Sequence, residues 1–259
     1  MRNKGEDFFW SIFNQAMKLP GVKVDRRSFL TEVFQDKSNE MITKILEVGP
    51  VSAGCTRAEL EDLANKLISK RTSKSSLVSF ASGLPSNMLV VLGTTSVDVA
   101  QFYGFTLKLA QEIAYLYGIE DLWVNGNLDK KKIQNQLILY LGVMFGISEA
   151  NSVVKTISSS MAQKVLKKLP QMSLTKSVIY RVVKKIAQIL GYKMTKEVFA
   201  KGVSKCIPVV GGAISGGMTW VSMRKMGFRL ANVLDEANFS YTEKEFEADW
   251  EDLTGEEIE

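Results

Sequence analysis

Apolar residues recur along this chain at helical spacing. Phe9, Ile12, Phe13, Ala16 and Met17 fall at i, i+3, i+4, i+7 and i+8, the stripe of an amphipathic helix, and Pro20-Gly21 ends it. Phe29, Leu30, Val33 and Phe34 mark a short helix that Asp25 can cap. Met41, Ile42, Ile45 and Leu46 mark another, which Ser38 can cap and Gly49-Pro50 stops. Thr56-Arg57-Ala58-Glu59 has the form of a capping box and opens a helix through Leu60, Leu63, Ala64, Leu67 and Ile68. A long helix is predicted over 97–118, with Phe102, Leu109, Ile113 and Leu116 on its packing side and Gly118 as its stop. Beyond a turn at Asn125-Gly126-Asn127, helices are predicted over 128–147 and 151–169, the second with Val154, Ile157, Met161 and Val165 as its apolar stripe. Another over 176–190 turns Ile179, Val182, Val183, Ile186 and Leu190 inward. A short basic helix over 195–204 and a last helix or helical hairpin over 207–236 complete the pattern. With no strand pair and no repeat, the expected class is all-α. The expected architecture is a single multi-helix bundle with a helical arm (1–55), a helical domain (56–236) and a tail (237–259).

Three segments carry no charge: residues 75–97, 133–148 and 206–223. A bilayer span needs about 20 mostly apolar residues. The first is rich in Ser, the second is short and contains Gln134, Asn135 and Gln136, and the third is broken by Pro208 and four glycines. All three read as helices buried in a bundle. In the third, Gly211, Gly212, Gly216 and Gly217 form a Gly-rich buried hairpin whose small-xxx-small spacing lets two backbones approach.

Charge adds what periodicity leaves out. Residues 1–149 carry a net +1, residues 150–230 a net +14 with Glu197 the one acid, and residues 231–259 a net −10. Such a block attracts an anionic surface. On the helices predicted there, Lys164, Lys167 and Lys168, and then Arg181, Lys184 and Lys185, lie off the apolar stripe and are the candidate lipid- or anion-binding residues. These outward faces read as lacking interleaved aromatics, and no helix-turn-helix or RNA-module signature accompanies them, so nucleic acid is not the expected partner. The tail places Phe246 and Trp250 at i, i+4 among its acids. It either docks on the basic face or stays solvated.

The 259 residues are 46% hydrophobic and 24% charged, ordinary for a globular chain. Histidine is absent, which removes imidazole bases and ligands and with them Ser-His-Asp, Cys-His and HExxH chemistry. Cys55 and Cys206 have no CxxC partner, so no thiolate metal site is expected. The glycine segment lacks a phosphate-loop lysine, Met218 standing in its place. Asp98, at the edge of an uncharged stretch, is the one candidate for a buried acid; no catalytic residue, metal or cofactor is expected. The first residues are too broken by Asn14, Gln15 and Lys18 for a signal peptide, and an intracellular protein is expected.

Gly83-Leu84-Pro85, the run Ala110-Gln111-Glu112-Ile113-Ala114-Tyr115-Leu116-Tyr117-Gly118, and Ile207-Pro208-Val209-Val210-Gly211-Gly212-Ala213-Ile214-Ser215-Gly216-Gly217 followed by Arg224 and Arg229 occur in that order. This arrangement, over about residues 60–235, resembles the EcsC family of bacterial proteins. Where that family shows an asparagine near the end of the glycine segment, this chain has Thr219-Trp220. The resemblance implies a helical protein, membrane-associated or cytosolic, with no established reaction. The combined expectation is a non-enzymatic protein, cytoplasmic and peripheral to the inner face of the bacterial membrane, that binds anionic lipids, with a membrane protein as a further expected partner. The alternative is a soluble scaffold for an acidic protein partner, or for an apolar ligand held in a helical pocket.

Overall fold

The computed structural model describes residues 4–73, 94–123, 130–159, 178–188 and 216–254. Of these, 79% are helical and none lies in a strand, so the class is all-α. The helices are α1 (Lys4–Ala16), α2 (Arg26–Val33), α3 (Asn39–Val48), α4 (Pro50–Ala53), α5 (Arg57–Arg71), α6 (Thr94–Leu116), α7 (Lys130–Met144), α8 (Ser148–Ser158), α9 (178–188), α10 (Gly216–Phe239) and α11 (Glu243–Thr254).

Local chemistry sets the early boundaries as expected. The Asp25 side chain accepts from Ser28 N at 2.7 Å and the Ser38 hydroxyl from Met41 N at 3.3 Å. Thr56 accepts from Glu59 N at 3.3 Å, but the Glu59 carboxylate pairs with Lys37 at 2.6 Å instead of returning to the cap. Gly118 takes a left-handed conformation (φ 92°) beyond α6, and Ile119 N closes back on Ala114 O at 3.0 Å, a Schellman-type stop.

Two helices organise the bundle. α6 packs against α1, α2, α5, α7 and α10, and α10 against α5, α6, α7 and α8. One contiguous core runs from Phe9 and Phe13 of α1 through Leu109 and Ile113 of α6 to Leu230 and Leu234 of α10, so α1–α4 share the same interior as the rest. Close approach uses glycines at two helix crossings. A Cβ on Gly142 of α7 would stand 2.7 Å from Ala150 Cβ and 2.8 Å from Val182 Cγ1, so α8 and α9 both seat in this notch. A Cβ on Gly227 of α10 would meet Ile68 of α5 at 3.1 Å. Of the four glycines expected to do this, Gly216 and Gly217 lie in the first turn of α10, and Gly211 and Gly212 fall outside the described residues.

One predicted helix is shorter than its pattern. The helix expected over 151–169 ends at Ser158, and Ser159 is extended (φ −72°, ψ 151°). Ser159 donates its hydroxyl to Thr156 O at 3.1 Å. Serine side chains compete in this way with the helical backbone ladder.

Candidate anion-binding surface

A polar framework fixes the helices that carry charge. Gln111, fully buried on α6, accepts from Val24 N (3.2 Å) and Trp123 Nε1 (2.7 Å) and donates to Val22 O (2.8 Å) and Leu107 O (2.9 Å). One amide thereby ties the loop before α2 and the loop after α6 to the hub helix. Beside it Glu112, only 1% exposed, accepts from Arg71 Nε at 2.9 Å. Burial pushes the Glu112 carboxyl above the ordinary range, against the pull of Arg71. Its i−4 neighbour Lys108 is not the direct partner that shared-face spacing suggests.

Most arginines in this framework are consumed internally. Arg26 donates to Leu46 O (2.9 Å) and Ile119 O (3.1 Å), satisfying a carbonyl at the C-terminal end of α3, and burial lowers its pKa. Arg57 pairs with Asp235 at 2.6 Å; burial nevertheless leaves the Asp235 carboxyl above its usual range. Arg229 donates to Met144 O at 3.1 Å, at the end of α7 where a cation also meets the helix dipole favourably.

α9 is arranged differently. Val178, Ile179, Val182, Val183, Ile186 and Ala187 are buried, which accounts for one whole face. A Cβ on Gly5 would lie 3.4 Å from Ala187 O, so the start of α1 supports the end of α9. The opposite face exposes Arg181, Lys184 and Lys185. Lys185 is bonded to Glu149 on α8, and that bond holds the Glu149 carboxyl below its ordinary range. Arg181 and Lys184 have no acidic partner among the described residues. Next to Arg181 in sequence, and one turn back from Lys184, stands Tyr180, 58% exposed. This corrects the expectation that the outward basic faces lack aromatics. Tyr180 and Lys184 are i, i+4, so ring and ammonium share a face. The signal was legible: Tyr180 lies off the Ile179/Val183 stripe.

Lys164, Lys167 and Lys168 lie outside the described residues. Asp98 belongs to α6, with its side chain outside the described set. Cys55 is buried, and burial raises its thiol pKa, which leaves it a poor nucleophile. Among the described residues no helix is long and apolar enough to cross a membrane, and no group of three metal-ligating side chains occurs.

The acidic tail docks. α11 packs on α8 with Phe246 and Trp250 buried at 2% and 1% exposure. Thr242 and Glu245 form a full capping box that starts α11: Glu245 N donates to Thr242 Oγ1 (3.3 Å) and Thr242 N to Glu245 Oε2 (2.9 Å). Threonine followed three residues later by glutamate is a readable signature, and this one was missed.

Compared with models of protein families, with curated proteins and with solved structures, the chain matches none of them.

Proposed function

We propose that this chain is a non-enzymatic helical protein that binds an anionic membrane surface peripherally, from the cytoplasmic side, through the outward face of α9 together with Lys164, Lys167 and Lys168. The observation that carries the reading is Tyr180 exposed beside Arg181 and Lys184 on a helix whose other face is fully engaged. Arginine grips phosphate with a planar fork and lysine offers a point charge. Tyrosine suits the headgroup boundary, with an apolar ring and a polar tip. The resemblance to the EcsC family, which we retain as a proposal, fits such a role.

Each cation held near an anionic leaflet contributes roughly 1 kcal/mol. Replacing both Arg181 and Lys184 by Ser therefore lowers partition onto phosphatidylglycerol vesicles about thirtyfold at low salt. Co-sedimentation with phosphatidylglycerol and with phosphatidylcholine vesicles tests the reading. Binding that is absent, or equal on both, ends it. A second reading, a scaffold for an acidic protein partner, draws support from α11, an acidic helix that already docks on this bundle.

A further inference from the structure

Past Ser148, α8 has no exposed residue: every position from Glu149 to Ser158 is buried or half-buried. Its composition does not call for that. Ser152, Lys155 and Thr156 follow i, i+3, i+4, a polar face of the kind that normally meets water. Ala150, Val153, Val154 and Ile157 supply the apolar side, as a core helix needs. Part of the polar face is covered by the turn after α10 and by α11. Lys155 lies 5.3 Å from the Tyr241 ring centroid and 3.8 Å from the Glu236 carboxylate. Thr156 Oγ1 meets Tyr241 OH at 3.3 Å. The Ser158 hydroxyl is buried with no partner among the described residues.

The cover itself is lightly held. Phe246 and Trp250 are buried but fall outside the contiguous core. They form a satellite cluster with Tyr241, rings 6.0 and 6.1 Å apart in successive pairs. α11 supplies its own N-terminal cap, and Glu243, Glu245, Glu247, Glu251 and Asp252 stay exposed. A self-capped helix on a short turn, docked by two rings and the half-buried Leu253, has the features of a locally opening unit.

We infer that the Ser152/Lys155/Thr156 face of α8 is a second anion-binding surface, and that α11 with Tyr241 is its intramolecular competitor. The Tyr241 ring covers Lys155 where a lipid phosphate would sit, and an anionic bilayer displaces that ring, while Glu236 stays in place on α10. This rests on the membrane reading above and adds its regulation: the closed state withholds part of the cationic surface until the tail lifts.

The test compares four proteins on phosphatidylglycerol vesicles: the natural chain, a chain ending at Ser240, F246A/W250A, and E247Q/E251Q. The double aromatic variant undocks α11 without altering its charge; the glutamine variant alters charge without undocking. Circular dichroism of each checks that the helical bundle persists. If the docked state is about 90% populated, its loss tightens apparent binding about tenfold. We expect that gain for the truncated chain and for F246A/W250A, with a much smaller one for E247Q/E251Q. We also expect vesicles to increase hydrogen exchange across residues 243–254 of the natural chain. Natural-chain binding that neither truncation nor F246A/W250A improves overturns the inference and leaves the membrane reading standing. An equal gain from F246A/W250A and E247Q/E251Q reduces α11 to simple charge repulsion and also overturns it. Absence of binding by all four proteins sinks the membrane reading and the inference with it.

Discussion

Cations in the front of the molecule and cations on α9 do opposite work. Arg26, Arg57 and Arg71 each point at a named carbonyl or carboxylate inside the bundle. Arg181 and Lys184 point at solvent. The difference follows from what surrounds each helix. α5 and α6 bring Arg71 onto a carboxylate that is already buried, and removing either partner strands the other. α9 carries no acid of its own, and the one that reaches it from α8, Glu149, is taken by Lys185. The lesson is that a charge count over a stretch of chain does not locate a binding surface. The partner inventory of each side chain does.

That contrast can be broken at several strengths. The largest effect is expected for Arg71→Met, which leaves the Glu112 carboxylate alone in the core. Loss of one member of a buried pair costs about 3–5 kcal/mol, read as a fall in urea unfolding free energy at neutral pH. Arg71→Met with Glu112→Leu should recover most of it. A single-variant loss near zero would mean that Arg71 is not holding Glu112. The same pair sets a pH signature. Because burial raises the Glu112 pKa in the fold, the native state holds that proton more tightly than the unfolded chain. Its contribution to stability therefore declines as pH rises from the ordinary glutamate value toward the raised one. Glu112→Gln should flatten that decline in a urea-midpoint series. Glu149, held low by Lys185, runs the other way, its contribution lost as pH falls through its depressed value.

Next in size is Gly142→Ala. Its new methyl would press on Ala150 and Val182, and overpacking of this kind costs about 1–3 kcal/mol, visible in a thermal melt. Arg26→Met follows. It removes two donors from the carbonyls of Leu46 and Ile119 and should cost about 1–2 kcal/mol. Smallest of all in stability, R181S/K184S should stay within about 0.5 kcal/mol of the natural chain while carrying the large loss of vesicle binding. A melting temperature that drops with that variant would show that these side chains are structural after all, and the contrast would fail.

Much of the scaffold was readable beforehand because its signals are local. The 3.6-residue stripe of Phe9, Ile12, Phe13 and Ala16, the caps at Asp25, Ser38 and Thr56, and the stop at Gly118 each depend on residues within a turn or two. The inward set Ile179, Val182, Val183 and Ile186 and the outward Arg181 and Lys184 were legible for the same reason. What escaped depends on distance. Arg71 and Glu112 are 41 residues apart, and nothing in spacing joins them. Gln111 reads as one polar residue in an apolar row, and only the fold shows its four partners. Gly142 is a small residue inside an uncharged run, and only the fold brings Ala150 and Val182 onto it. The polar side of α8 pointed to water on every local criterion, and a segment some 85 residues onward closed over Thr156.

The notch at Gly142 has a further bearing on the exposed surface. Since α8 and α9 both rest where a side chain is missing, the tilt of α9 is decided from beneath, by shape. Apart from Lys185, which pairs with Glu149, residues on its outer side are thereby released from any duty to the scaffold. Their identity can drift, and the affinity for different membrane compositions can be retuned, while the platform underneath stays as it is.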